Sequence, residues 1–359
     1  MEIKKMKGSL YSVSDKAMFD AINQSKVTNP ELKSLFLSRG IIASPSTKRE
    51  TLASYFSTFT HGYYDYKRLS DILGKNTRKE KNTSTTITKV LDSEDIEAAI
   101  ELLVKDVNSF GAECSVEKLN EDDSYNIKVI YQDYNYNNSE FKQVTTKEAN
   151  ILIEQNDEGV VIRHPQNKTV DEWKALLIDK IGLEVGEELP TDNVNLSTIT
   201  DHHKITDFFQ KLIHDIEGYV LKDVTDVFVY HPKNDEDDNQ DDSSSVALGT
   251  HITKASLKGQ NVLKSDVLVT FYSDGFYLSK VIWRAKAEGT VDEDIYEFEV
   301  QFSNPEGKDE FSYLAKGYYG YVSDGKHSKT RKALTSMQER KINRAIEEAA
   351  HRALSSILE

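Results

Sequence analysis

The 359-residue chain has one cysteine, six prolines and two tryptophans, and no long apolar run. The single thiol, Cys114, excludes an intramolecular disulfide framework and any multi-cysteine zinc site, and it points to a reducing compartment. No stretch approaches the roughly 18 consecutive apolar residues of a membrane-spanning helix. The opening residues, MEIKKMKGSLYSVSD, lack the apolar core of a signal peptide. A cytoplasmic protein with no membrane partner is expected. The G-x-S-x-G elbow, the H-E-x-x-H helix and the Rossmann glycine fingerprint are also missing, so neither a cofactor nor a bound metal is expected.

What the chain does have is charge sorted by position. Residues 1–91 carry sixteen Lys/Arg against eight Asp/Glu, and residues 92–325 carry twenty-one against forty-eight. Residues 326–359 carry eight against four, so the three blocks, +8, −27 and +4, sum to the net charge of −15. Basic blocks attract phosphate and acidic ones repel it, so the ends and the middle are built for different partners. A hydrophobic content of 38% with 29% charged residues fits a globular chain of two or three domains.

The pattern predicts an α+β multi-domain protein. Residues 1–91 read as a small basic helical module with a linker, and its helices begin near Ser14-Asp15, Pro30, Ser46-Thr47 and Tyr64. The stretch KNTRKEKNTSTT (75–86) reads as a linker or a phosphate-facing loop. Residues 92–190 read as an acidic α+β domain, with an amphipathic helix from Ser93 to Gly111 and strands near 112–119, 125–133, 140–146 and 160–163. A capping-box helix starts at Thr169. Residues 200–359 read as a second α+β domain, in which an antiparallel β-meander packs with helices. Its strands are expected near 219–230, 262–273, 276–287, 294–302 and 311–322, with Asp274-Gly275 as a hairpin turn. The acidic loop 233–245 is expected to be disordered, and a long helix over about 329–358 closes the chain.

Within the first block, Glu31-Leu32-Lys33, Leu35-Phe36 and Arg39-Gly40-Ile41 are followed by Thr47-Lys48, Glu50, Leu52 and Phe56. Residues 31–56 resemble the SAP motif and related helix–extended loop–helix modules that bind DNA. The loop is one or two residues longer than the usual form, and Pro45-Ser46 stands where the family has glycine. The resemblance implies phosphate contacts from Ser46, Thr47, Lys48 and Arg49 at the second helix's N-terminus, where backbone N–H groups are unpaired. Lys33, Arg39, Arg78, Lys79 and Lys81 would extend the footprint on duplex DNA. A protein-docking role for the same helices is the competing reading.

Other constellations carry weaker signals. Lys326, Lys329, Arg331, Lys332, Arg340, Lys341 and Arg344 form a second basic patch around the start of the expected last helix, either for nucleic acid or as an ordinary solvated face. Gly320 to Ser328 nearly spells a nucleotide-binding loop, but His327 occupies the metal-binding hydroxyl position, so a strand–turn–helix joint is the better reading. Asp266 with Glu299-Val300-Gln301 is similar to the carboxylate layout of PD-(D/E)xK nucleases, with Gln301 replacing lysine. His202, His203 and His214 lack a recognised ligand spacing and read as surface residues. Asp235, Asp237, Asn239 and Asp241 begin like a calcium loop but lack its glycine and closing acid.

The leading expectation is a DNA-binding accessory protein in which the module tethers acidic domains to duplex DNA, within a DNA-processing or antiviral genome-defence complex. A protein partner is expected for the acidic body. The alternatives are a metal-dependent nuclease and a protein-interaction adaptor without nucleic acid.

Overall fold

The computed structural model describes residues 13–74, 79–119, 124–156, 159–232, 252–289 and 294–359. Arg78 and the acidic segment 233–245 lie outside the described residues. The fold is α+β, with N-terminal helices and an antiparallel sheet of 11 strands packed with helices. The chain forms two compact units that are discontinuous in sequence. One comprises Met1–Lys79, Leu91–Glu154 and Glu172–Glu188, and the other Glu80–Val90, Gln155–Asp171 and Leu189–Glu359.

The first unit begins with α1 (Asp15–Asn23), α2 (Asn29–Leu37), α3 (Arg49–Ser57) and α4 (Tyr63–Leu73). Their starts are encoded locally: the Ser14 hydroxyl accepts from Ala17 N–H, and Thr28 with Glu31 forms a capping box. Met18, Ile22, Leu32, Leu35, Phe36 and Phe56 close a buried core between the helices. Phe141, from a short 3₁₀ turn, joins this core and stacks on Tyr66 at 5.5 Å. The unit continues with α5 (Ser93–Ser109), β2 (Glu113–Leu119), β3 (Ser124–Tyr134) and β4 (Val144–Asn156), and takes in most of α6 (Lys168–Val185). Lys180 on α6 pairs with Asp106 on α5 at 2.6 Å, and Trp173 meets Tyr131 edge-on.

The second unit holds β1 (Asn82–Ile87), β5 (Gly159–Pro165), β6 (Thr191–Asp192), β7 (Tyr219–Tyr230) and β8 (Lys254–Lys258). It also holds β9 (Tyr277–Ala287), β10 (Ile295–Asn304) and β11 (Asp309–Tyr319). Their order is β5-β1-β11-β10-β9-β7-β8, with β6 paired to β1. The expected meander is present as β9-β10-β11. Two helices, α7 (His202–His214) and α9 (Ser336–Leu358), bury their apolar stripes in one core with Trp283, Phe298, Val300 and Tyr313. No helix of the described residues is long and apolar enough to cross a membrane.

Four sequence expectations are corrected. Residues 82–87, expected in a linker, form β1, paired with β5 along its length and with β11 at Asn82. Four Ser and Thr residues offer no apolar alternation there, and the neighbouring strands supply the ladder that makes them a strand. Residues 262–273, expected as a strand, contain the helix α8 (Asp266–Ser273), because the Ser265 hydroxyl caps Leu268 N–H. Asp274-Gly275 is that helix's stop rather than a hairpin turn. Gly275 has φ +86°, Phe276 N–H reaches Phe271 C=O, and Gly275 N–H reaches Tyr272 C=O. Finally, the last helix starts at Ser336, not near 329, because Thr335 and Gln338 form its capping box.

Candidate functional site

Two regions hold the residues singled out by sequence. In the first unit, α2 and α3 are nine residues each, joined by segment 38–48, in which residues 41–44 lie between two turns. Gly40 (φ +73°) ends α2, with Ile41 N–H donating to Phe36 C=O. The Arg39-Gly40-Ile41 signature is thus a helix stop that turns the chain into the loop. Lys48 is the N-cap residue of α3 and supplies no capping side chain. Ser46 and Thr47 precede the helix and do not cap it. They belong instead to a turn in which Thr47 N–H donates to Ser44 C=O and the Ser44 and Ser46 hydroxyls meet at 2.9 Å.

The basic residues of this module separate into two groups. Arg49 donates to the carbonyls of Ile22 (2.8 Å) and Gln24 (3.0 Å) and to Asn29 Oδ1 (3.1 Å), tying α3 to the end of α1. Arg39 donates to Thr60 C=O and pairs with Asp65. Both guanidinium groups serve the module's own packing. Lys33 and Lys48 are exposed and make no ion pair among the described residues. Tyr64 and Ile42 are also exposed, by 84% and 89%, so the module's surface mixes cations with apolar groups.

The second region is a sheet face in the second unit. Glu297, Glu299 and Gln301 alternate along β10 and point away from the core formed by Phe298, Val300 and Phe302. Glu299 is held by Lys81 (2.9 Å), Lys280 (2.6 Å) and Lys316 (3.2 Å). Glu297 is held by Arg284 (3.4 Å), Lys316 (3.6 Å) and Arg331, and it accepts from the Tyr319 hydroxyl. Lys81 also donates to Gln301 Oε1 at 2.5 Å, so it serves the sheet rather than a linker. The two-strand layout expected of a nuclease is not formed. Asp266 is the first residue of α8, and Glu299 is surrounded by ammonium groups. Among the described residues no group of three or more His, Cys, Asp or Glu is placed to hold a metal ion.

Burial pushes the Glu299 carboxyl up, but hydrogen bonds from Lys280 and Lys81 and their charges outweigh it and hold it at about 2, below its reference value of 4.5. A carboxylate depressed in the folded state stabilises the fold above its unfolded pKa, and that stability is lost as pH falls. The expected contribution, about 3 kcal/mol by this shift, is present above pH 4.5 and disappears on the way down to pH 2. In urea unfolding at stepped pH, the stability gap between wild type and Glu299→Gln should therefore narrow in acid. A gap constant from pH 6 to pH 3 would refute this account.

The second basic patch is divided by the fold. Lys326 lies on β13 (Lys326–His327), which forms a hairpin with β12 (Tyr321–Ser323). Its turn residues Asp324 and Gly325 both have positive φ, so the Gly320–Ser328 segment is a two-residue hairpin rather than a strand–turn–helix joint. Lys329, Arg331 and Lys332 lie in the segment before α9, with Arg331 reaching Glu297 and Lys332 resting over the Tyr318 ring. Arg340, Lys341 and Arg344 are on α9 itself. Sequence reasoning passed over Lys280, Arg284 and Lys286, whose even spacing within 276–287 is a signal for one strand face.

Among the remaining candidates, Lys79 follows the first unit's helices in a segment with no regular structure. Asp201 caps α7 by accepting from His203 N–H, and His214 bonds Gln210 C=O within its own helix. Burial pushes the Cys114 thiol up to about 11, which keeps it protonated and a poor nucleophile. No protein-family model matches the chain, and no curated protein is similar to it.

Proposed function

We propose that the chain is a DNA-associating accessory protein of the cytoplasm, anchored to duplex DNA by its N-terminal helix–extended loop–helix and presenting its acidic parts to a protein partner in a DNA-processing or genome-defence assembly. The observation that carries this reading is the α2–loop–α3 geometry. An uncapped α3 N-terminus leaves first-turn N–H groups and the positive end of the helix dipole open to a phosphate. Lys48 stands at that end, and Lys33 on α2 is a second exposed cation. Contacts of this kind supply affinity without sequence preference and weaken steeply with salt.

The test is binding of a labelled duplex to full-length protein across a salt series, with and without Mg²⁺. Wild type should bind with a steep dependence on salt. Lys33→Glu/Lys48→Glu should weaken binding at least about tenfold and flatten the log–log slope by about 2, because each phosphate contact contributes about 0.9. Equal binding by the two proteins would sink the proposal. Mg²⁺-dependent cleavage would replace an accessory role with an enzymatic one.

A further inference from the structure

The sheet of the second unit is covered on one face by α7 and α9, while its other face carries more cations than acids. The β9–β10 register sets Lys280 beside Gln301, Arg284 beside Glu297 and Lys286 beside Ile295, so the three basic residues share the face of Glu297 and Glu299. Lys81, Lys316 and Arg331 reach the same two carboxylates from β1's N-terminal flank, β11 and the segment before α9. Lys222 sits at a register shift in β7, between Leu221 beside Ala285 and Asp223 beside Arg284. Seven cations thus meet three carboxylates, Glu297, Glu299 and Asp223. Asp226, beside Ile282 on the same face, is paired with an eighth cation, Lys258, at 3.2 Å, which leaves the surplus unchanged.

The surplus is costly as it stands. Lys81, Lys280 and Lys316 are each less than one-fifth exposed, so their charges are partly withdrawn from water. Lys222 and Lys286 make no ion pair among the described residues. Lys222 is exposed, and its ammonium is disfavoured first by partial desolvation and then by the neighbouring charges of Lys286 and Arg284, with Asp223 acting the other way. In a chain of net charge −15, this repulsion does not follow from overall composition. A bound polyanion would relieve it. The length of the row narrows the choice. Lys280 to Lys286 spans six residues, about 20 Å at 3.3 Å per residue. That is long enough to meet several charges of a nucleic-acid strand, which recur about every 3.4 Å along the axis. It is longer than a single phosphate can use.

We infer that this face of the β7-β9-β10-β11 sheet is a docking surface for the phosphodiester backbone of a nucleic acid, built wholly from residues of the second unit. It does not depend on the helical module. Glu297 and Glu299 hold the lysines and arginines in fixed positions, and the unpaired Lys222 and Lys286 carry the larger share of the ligand's charge.

The experiment uses full-length protein, a labelled duplex and two independent variants, Lys222→Glu/Lys286→Glu on the sheet and Lys33→Glu/Lys48→Glu in the module. The sheet variant should lose at least about tenfold in affinity and about 2 in the salt slope, and Lys222→Gln/Lys286→Gln should fall between it and wild type. Unchanged circular dichroism and melting temperature would attribute the loss to charge rather than unfolding. Duplex binding by the sheet variant equal to wild type overturns the inference, whatever the module variant does; the module variant alone judges the proposed function. Inorganic tripolyphosphate binding that the sheet variant abolishes, with no duplex binding to that face, also overturns it and leaves a site for small polyphosphates.

Discussion

Arg163→Ala should cost about 3–5 kcal/mol of stability, among the largest losses available from a single polar side chain in this protein. Arg163 on β5 and Glu347 on α9 are 184 positions apart and both buried, and they form a two-pronged ion pair with both contacts at 2.5 Å. The Tyr313 hydroxyl of β11 also donates to Glu347. Removing the arginine leaves a buried carboxylate without its guanidinium partner, and a buried charge that loses its counter-charge costs far more than the intact pair contributes. The double change Arg163→Met/Glu347→Leu should therefore recover most of the loss. Urea unfolding of wild type, single and double variants decides the point. A double variant as unstable as the single one would reject the uncompensated-charge explanation.

Trp283→Ala should cost a similar amount, about 3–5 kcal/mol, for an apolar reason. Trp283 is fully buried in β9, 5.4 Å from the Phe298 ring, in the core shared with α7 and α9. Its indole N–H has no hydrogen-bond partner among the described residues. Trp283→Phe therefore forfeits some packing but no hydrogen bond, and should cost only about 1–2 kcal/mol. A phenylalanine variant as damaged as the alanine one would mean that the indole nitrogen matters in a way the burial account omits. Both changes leave Lys280 and Arg284 in place on the opposite face of the strand, so the charge of the proposed docking surface is unaltered.

Several helices were readable because their start and stop signals lie within a few residues. Ser14, Gly74 and Gly111 mark helix ends in sequence and in structure alike. The segment around Ser265 carries an equally local cap, but its run of Val, Leu and Phe residues reads as a strand. A capped helix with Leu268 buried and Val267 and Val269 exposed is what forms. β1 lies at the other extreme: NTSTTI has no alternation to read, and pairing with β5, β6 and β11 makes it a strand. Residue type alone grouped Arg49 with Lys48 as phosphate contacts. The fold turns Arg49 inward to the carbonyls of α1 and leaves Lys48 at the surface.

By itself the sequence determined the α+β class, the positions of most helices and the antiparallel β9-β10-β11 meander, because caps, glycine stops and periodicity act through neighbours in the chain. It also determined the total charge of each block. Only the tertiary structure decided how those charges are compensated. It set Lys81 against Glu299, Arg331 against Glu297 and Arg163 against Glu347, and left Lys222 and Lys286 without an ion pair among the described residues. An ion pair acts over a few ångströms in space while its partners lie tens to hundreds of residues apart, so which cations remain for a ligand is settled when the strands pair.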